Sequence, residues 1–183
     1  MARWVDLNAL GPKGRLQLWI EEQVLAISDL RGRSIARWIG TEMAMREEGP
    51  GGIPLFHDPA IPYLQVCHLY LDFVEGGGRN ILTYQNIWTD GWGLCIDVLY
   101  GGPPDEFSEE KSIFRTRDLK ELPVGKIGIV RVSRDENGDI VEVSLEVEGA
   151  WVTLWSGEIY EESNGGLRVV RPDESILVAV QRE

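Results

Sequence analysis

"GKIGIVRVSRDENGDIVEVSLEVEGAWVTLW", Gly125 to Trp155, alternates apolar and polar residues. In its middle, Val141, Val143, Leu145 and Val147 fall on one face; Ile140, Glu142, Ser144, Glu146 and Glu148 fall on the other. A period of two is that of a β-strand, whose successive side chains point to opposite sides. Asn137-Gly138 and Glu148-Gly149 separate the alternating runs, and such pairs turn one antiparallel strand into the next. The stretch therefore predicts a meander with one face in a core and an acidic face in solvent.

The same pattern extends in both directions. Toward the C-terminus, "SGEIYEESNGGLRVV" turns at Asn164-Gly165, and "SILVAV" reads as a last strand. If "GEIYEE" pairs with the acidic strand, its carboxylates extend the same field. Toward the N-terminus, "LQVCHLYLDFV" alternates, with Leu64, Val66, His68, Tyr70 and Asp72 on one side and Cys67, Leu69, Leu71 and Phe73 on the other. "ILTYQNIW" and "WGLCIDVLY" form a hairpin through "TDG", so that Trp88 and Trp92 flank Asp90 at the turn. "GGPPDEFSEEKS" is an acidic loop. About nine or ten strands follow from this reading, too many for a flat open sheet, so strong curvature or partial barrel closure is expected.

The first 63 residues have a different character. Pro12 is tolerated in a first helical turn, and Leu16, Trp19, Ile20, Gln23, Val24 and Ile27 recur at helical spacing. Leu16 to Ile20 also alternates, which leaves a strand open there. In "RSIARWIGTEMAMREEG", Ile35, Trp38, Ile39 and Met43 share a stripe, which predicts a second helix weakened at Gly40. "GPGGIPLFHDPAIPY" has too many prolines and glycines for a helix or a central strand and reads as an ordered loop. The expected fold class is α+β in a single domain, 1–183. A helical segment (1–49) and a Pro/Gly-rich loop (50–63) precede a large, curved, mainly antiparallel sheet (64–183), built as a meander or partly closed barrel.

The chain has 183 residues and a net charge of -12. Residues 1–63 carry 7 basic and 8 acidic side chains, and residues 64–183 carry 11 and 22, so the acidity belongs to the second part. Such a surface repels nucleic acid and anionic membranes and attracts basic partners. The start, "MARWVDLNAL", has no basic region followed by a long apolar run, and no stretch approaches the roughly 20 apolar residues of a membrane span. A cytoplasmic location is the expectation.

Motifs for chemistry are sparse. Cys67 and His68 are neighbours on a strand and point to opposite faces, so they do not form a catalytic pair. Cys95 would need His57 or His68 brought to it by the fold. Both cysteines sit in apolar runs and are expected as free buried thiols. His57-Asp58 could act as a general base or make a local turn bond. The clusters "GPGG", "GGG" and "YGGPP" lack the lysine and helix of a phosphate loop and read as turns. No metal or cofactor is expected from the spacing of two cysteines and two histidines.

These features suit a non-catalytic acidic binding protein with a basic protein partner. Its most concrete form is a bacterial immunity protein (antitoxin) that neutralises a toxic enzyme, such as a basic nuclease, by stoichiometric association. The expected partner-binding residues are Trp88, Asp90 and Trp92 at the hairpin turn, with Glu142, Glu146 and Glu148 on the acidic face. Aromatic anchors dominate many interfaces, and charged faces steer association. One alternative is a small-molecule binder or enzyme whose cavity is lined by Tyr70, Tyr84, Trp88, Trp92 and Trp151. Another is a structural or assembly subunit.

Overall fold

The computed structural model describes residues 11–75, 79–85, 93–99, 107–108 and 111–182. One helix, α1 (Pro12–Ser28), precedes twelve strands: β1 (Ser34–Met43), β2 (Leu64–Phe73), β3 (Arg79–Gln85), β4 (Gly93–Leu99), β5 (Phe107–Ser108), β6 (Phe114–Asp118), β7 (Gly125–Arg134), β8 (Ile140–Val147), β9 (Ala150–Ser156), β10 (Glu158–Glu161), β11 (Leu167–Val170) and β12 (Ile176–Arg182). Ten of the strands form one antiparallel sheet in the order β4-β3-β2-β12-β9-β8-β7-β1-β6-β5. β1 also pairs with β2, which closes β1, β2, β12, β9, β8 and β7 into a six-stranded barrel. β10 and β11 form a separate hairpin.

The barrel is filled by side chains. Val143, Leu145 and Val147 of β8 lie opposite Leu154, Val152 and Ala150 of β9. β9 in turn meets Val178 and Val180 of β12. All of these except Ala150 join Trp38, Val66, Leu69 and Leu71 in one continuous core. α1 packs against β7 and β4. Its predicted stripe is the buried one: Ile20, Gln23 and Ile27 are buried, and Leu16, Trp19 and Val24 pack against the core. The buried Gln23 uses its side-chain oxygen to accept the Ile96 backbone N–H of β4 at 2.6 Å.

The second predicted helix is a strand. β1 pairs with β2 on one edge and, on the other, first with β7 and then with β6. Its helix-like stripe has a local cause. A bulge between Ile35 and Arg37 inserts one residue, so that Ile35 and Trp38, three apart, reach the same core. Ile39 is buried as well, as expected of a strand covered on both faces. Gly40 allows close packing, since a Cβ there would lie 2.8 Å from a Leu119 methyl and force that side chain to shift. Leu119 and Leu122 fill the gap where β1 leaves β7 for β6, and the Trp38 indole donates to the Pro123 carbonyl at 2.7 Å.

Two further differences have the same origin. On β2, His68 pairs with Thr41 but Val66 pairs with Glu42, which leaves Cys67 as an extra residue. The alternation read across β2 breaks there, and Val66 joins Leu69, Leu71 and Phe73 in the core. On β8, a shift between Ser133 and Arg134 displaces Val141, so Ile140 is buried and Val141 is only partly so.

Glu42 of β1 is buried, at 1% exposure, against Arg115 and Arg117 of β6. Arg117 reaches it through two bonds of 2.8 Å, and the ring of Phe56 covers Arg115 at 4.2 Å. Arg115 and Arg117 are themselves about a third exposed and Arg117 also meets Glu121, so removing Glu42 leaves hydrogen-bond donors that water partly reaches and costs about 1–3 kcal/mol. Glu42→Ala should therefore lower the unfolding free energy by about that amount in urea denaturation, and Glu42→Gln by less. A loss within error of zero for Glu42→Ala would show that β6 does not depend on this contact.

Candidate functional site

After β9 the chain leaves the barrel, makes the β10–β11 hairpin and returns into β12. Gly157 N–H donates to the Ser175 carbonyl at 2.9 Å, and Ser156 Oγ donates to the Asp173 carbonyl at 2.8 Å. These bonds tie the base of the hairpin together. Gly157 cannot carry a side chain without strain, because a Cβ would sit 2.7 Å from the Val170 carbonyl oxygen. The hairpin rests on the outside of the barrel over a second small core of Met45, Ile159 and Leu177, with Tyr63, Trp155, Leu167 and Val169 packed around it. The buried Gln65 of β2 orients it by accepting the Ile159 N–H at 2.6 Å. Arg46 holds Glu161 at 2.6 Å and Asp58 at 3.5 Å.

Between the hairpin and the segment after β1 lies a cleft of about 470 Å³. Met43, Met45, Ile113 and Ile159 give it an apolar floor, and Glu47, Glu48, Glu158 and Glu161 line it with carboxylates. Behind it, Glu158, Asp173 and Glu174 bring one carboxylate oxygen each within 4.8 Å of one another. Glu158 Oε2 is shut off from solvent without a hydrogen-bond partner among the described residues. Tyr160 donates its hydroxyl to Asp173 at 3.0 Å.

Three groups of different chemistry record the resulting field. Burial first, then the charges of Asp173 and Glu174, push the Glu158 carboxyl up to about 7. Burial, then Glu158 and Glu174, push the Cys67 thiol up to about 11. Burial, then the bond to Asp173, push the Tyr160 hydroxyl up to about 12. Loss of the charged form through burial and like-charge neighbours is the common cause. A hard cation would find three of the six to eight oxygens it prefers, so this donor set alone does not define a metal centre.

The sequence-predicted residues are distributed elsewhere. Trp88, Asp90 and Trp92 lie outside the described residues. Glu142 and Glu146 share one side of β8 and Glu148 lies in the turn that follows, but each serves a local purpose. Glu142 accepts the Trp155 indole N–H at 2.7 Å, Glu146 the Gly149 N–H at 2.6 Å, and Glu148 the Lys126 N–H at 2.9 Å. The same face carries Arg131 over the Trp151 ring at 4.3 Å and Arg171 over Trp155 at 4.2 Å, so it is mixed in charge. "GEIYEE" pairs with β11 and not with β8, and its carboxylates build the cleft instead.

Sequence reasoning missed the cleft because Glu47 and Glu48 fell at the end of the supposed helix. One signal was available. Glu158 and Asp173 lie on either side of the Asn164-Gly165 turn, so a hairpin centred there returns the chain to its own base.

Both cysteines are buried and free, and burial raises the Cys95 thiol as it does that of Cys67. Neither is an activated nucleophile. At pH 8 a charged thiol reagent should label the urea-unfolded chain fully while leaving the folded chain largely unlabelled, as read by intact mass. Rapid native labelling of Cys67 would contradict its placement beneath the hairpin. Compared with protein-family models, with curated proteins and with solved structures, the chain matches none.

Proposed function

We propose that this chain is a non-catalytic binding protein that takes a basic protein partner in the cleft between β10 and the segment after β1. An immunity protein that neutralises a toxic enzyme is the most concrete form of this reading. The observation that carries it is the cleft itself: carboxylates from two separate parts of the chain surround an apolar floor. That combination suits a lysine or arginine, whose alkyl stem covers apolar surface while its head group meets the carboxylates. The filled barrel supports the reading over a cavity enzyme, since its interior is packed with aliphatic side chains. Several carboxylates elsewhere are matched: Arg37 meets Asp72 and Asp118, Arg117 meets Glu42 and Glu121, and Arg134 meets Glu21. Around the cleft, Glu47, Glu48 and Glu158 have no cation partner among the described residues.

The small-molecule reading would use a groove of about 250 Å³ at the barrel rim, lined by His57, Tyr63, Leu64, Leu122, Val178 and Val180. Its other ionisable group, Glu121, is already engaged by Arg117. Few convergent polar groups remain there to orient a ligand.

Two charge-matched double reversals test the location. Glu47→Lys with Glu48→Lys alters the cleft, and Glu142→Lys with Glu146→Lys alters the outer face of β8. The ligand is the product of the gene adjacent to the one encoding this chain, and association is followed at two salt concentrations. Electrostatic steering changes association rates by about 10–1,000-fold and weakens with salt. The cleft pair should slow association at least about tenfold, and the β8 pair much less. The opposite order would move the interface to β8. Equal rates for all proteins at both salt concentrations would remove the electrostatic reading.

A further inference from the structure

We propose that the free protein holds a proton on Glu158, and that a lysine or arginine head group entering the cleft replaces it. This rests on the reading of the cleft as a binding site for basic groups. The geometry supplies the reason. Glu158 stands at the start of the hairpin and Asp173 and Glu174 at its end, and the bonds at the base of the hairpin keep these two ends side by side. Among the described residues, no lysine, arginine or histidine pairs with any of the three. Of the arginines near the hairpin, Arg46 is engaged by Glu161 and Asp58, and Arg171, whose stem lies against Gly157, stacks over Tyr63 and Trp155. Three carboxylates that close resist full ionisation without an opposing charge, and the one with a sealed, unpartnered oxygen is the one that keeps its proton to the highest pH.

The other groups around Glu158 reinforce this. Cys67 lies beneath it on β2, and its thiol stays protonated and offers no positive charge. Tyr160, on the same strand, donates to Asp173 and remains neutral. Glu47 and Glu48 lie across the cleft and add negative charge from that side, while Glu161 along it is already paired with Arg46. A cationic head group supplies what the fold omits. As it arrives, Glu158 ionises and the proton passes to solvent. Binding is then linked to proton release and favoured as pH rises through about 7.

Stability follows the same linkage. A carboxyl whose folded value is raised adds stability below its ordinary value of 4.5 and loses it as pH rises toward about 7. The free protein should therefore melt progressively lower between those limits through this group, and Glu158→Gln should remove that component.

The test uses the whole chain with an octalysine peptide as probe. The Glu158 carboxyl is titrated by carbon NMR in the free protein. Peptide affinity is measured calorimetrically at pH 6 and pH 8, in two buffers of different ionisation enthalpy. A midpoint near 7, proton release on binding at pH 6, and about tenfold tighter binding at pH 8 support the inference. The pH difference should vanish in Glu158→Gln, which also controls for His57 and His68. A Glu158 midpoint near 4.5, or equal wild-type affinity at both pH values, overturns the inference and leaves the cleft reading standing. A peptide that fails to bind, or that binds the Glu47→Lys/Glu48→Lys protein equally well, overturns both.

Discussion

β1 must serve two edges at once. One edge pairs with β2; the other pairs with β7 and then with β6. Without β1 the sheet would stay open between β2 and β7, and its core would be exposed along that seam. Closing the seam is worth more than any local preference of the segment, because an unpaired buried backbone group costs free energy comparable to a lost hydrogen bond. The two bulges on the β1–β2 pair, the glycine at position 40 and the Leu119–Leu122 plug are adjustments to that requirement. The buried Glu42 with its two arginines holds β6 to the same strand.

This constraint explains what the sequence revealed and what it hid. The β8 stretch was legible because a meander strand with one buried face keeps strict alternation over most of its length. α1 was legible because its stripe of six residues meets one core. β1 was not, because burial on both faces removes polar punctuation, and a bulge turns a period of two into a spacing of three. The Cys67 bulge hid the true faces of β2 in the same way. Local pattern reports the environment of a segment faithfully only where register is regular.

The acidic cleft was hidden for a different reason. Charge totals placed the acidity in the second part of the chain, and that part does carry most of the cluster. The totals do not record how many carboxylates each arginine takes up. On β6, arginines meet Glu42 and Glu121; on β1, Arg37 meets Asp72 and Asp118. The acidic face of β8 is likewise engaged in capping turns and holding an indole. What remains unmatched depends on tertiary pairing, and part of that residual charge gathers around a hairpin.

The hairpin also links the two themes. Strands β9 and β12 are antiparallel neighbours that a tight turn could join, yet the chain between them leaves the barrel and comes back. The excursion must begin and end at adjacent points, so whatever residues occupy its two ends are forced together. Here those residues are Glu158 on one side and Asp173 and Glu174 on the other. A fold that needed only closure would place neutral residues at such a junction, since like charges there oppose it. Their presence therefore works against the barrel's own stability in the free protein. Protonation of one carboxyl relieves repulsion of this kind, and a bound cationic group would relieve it as well.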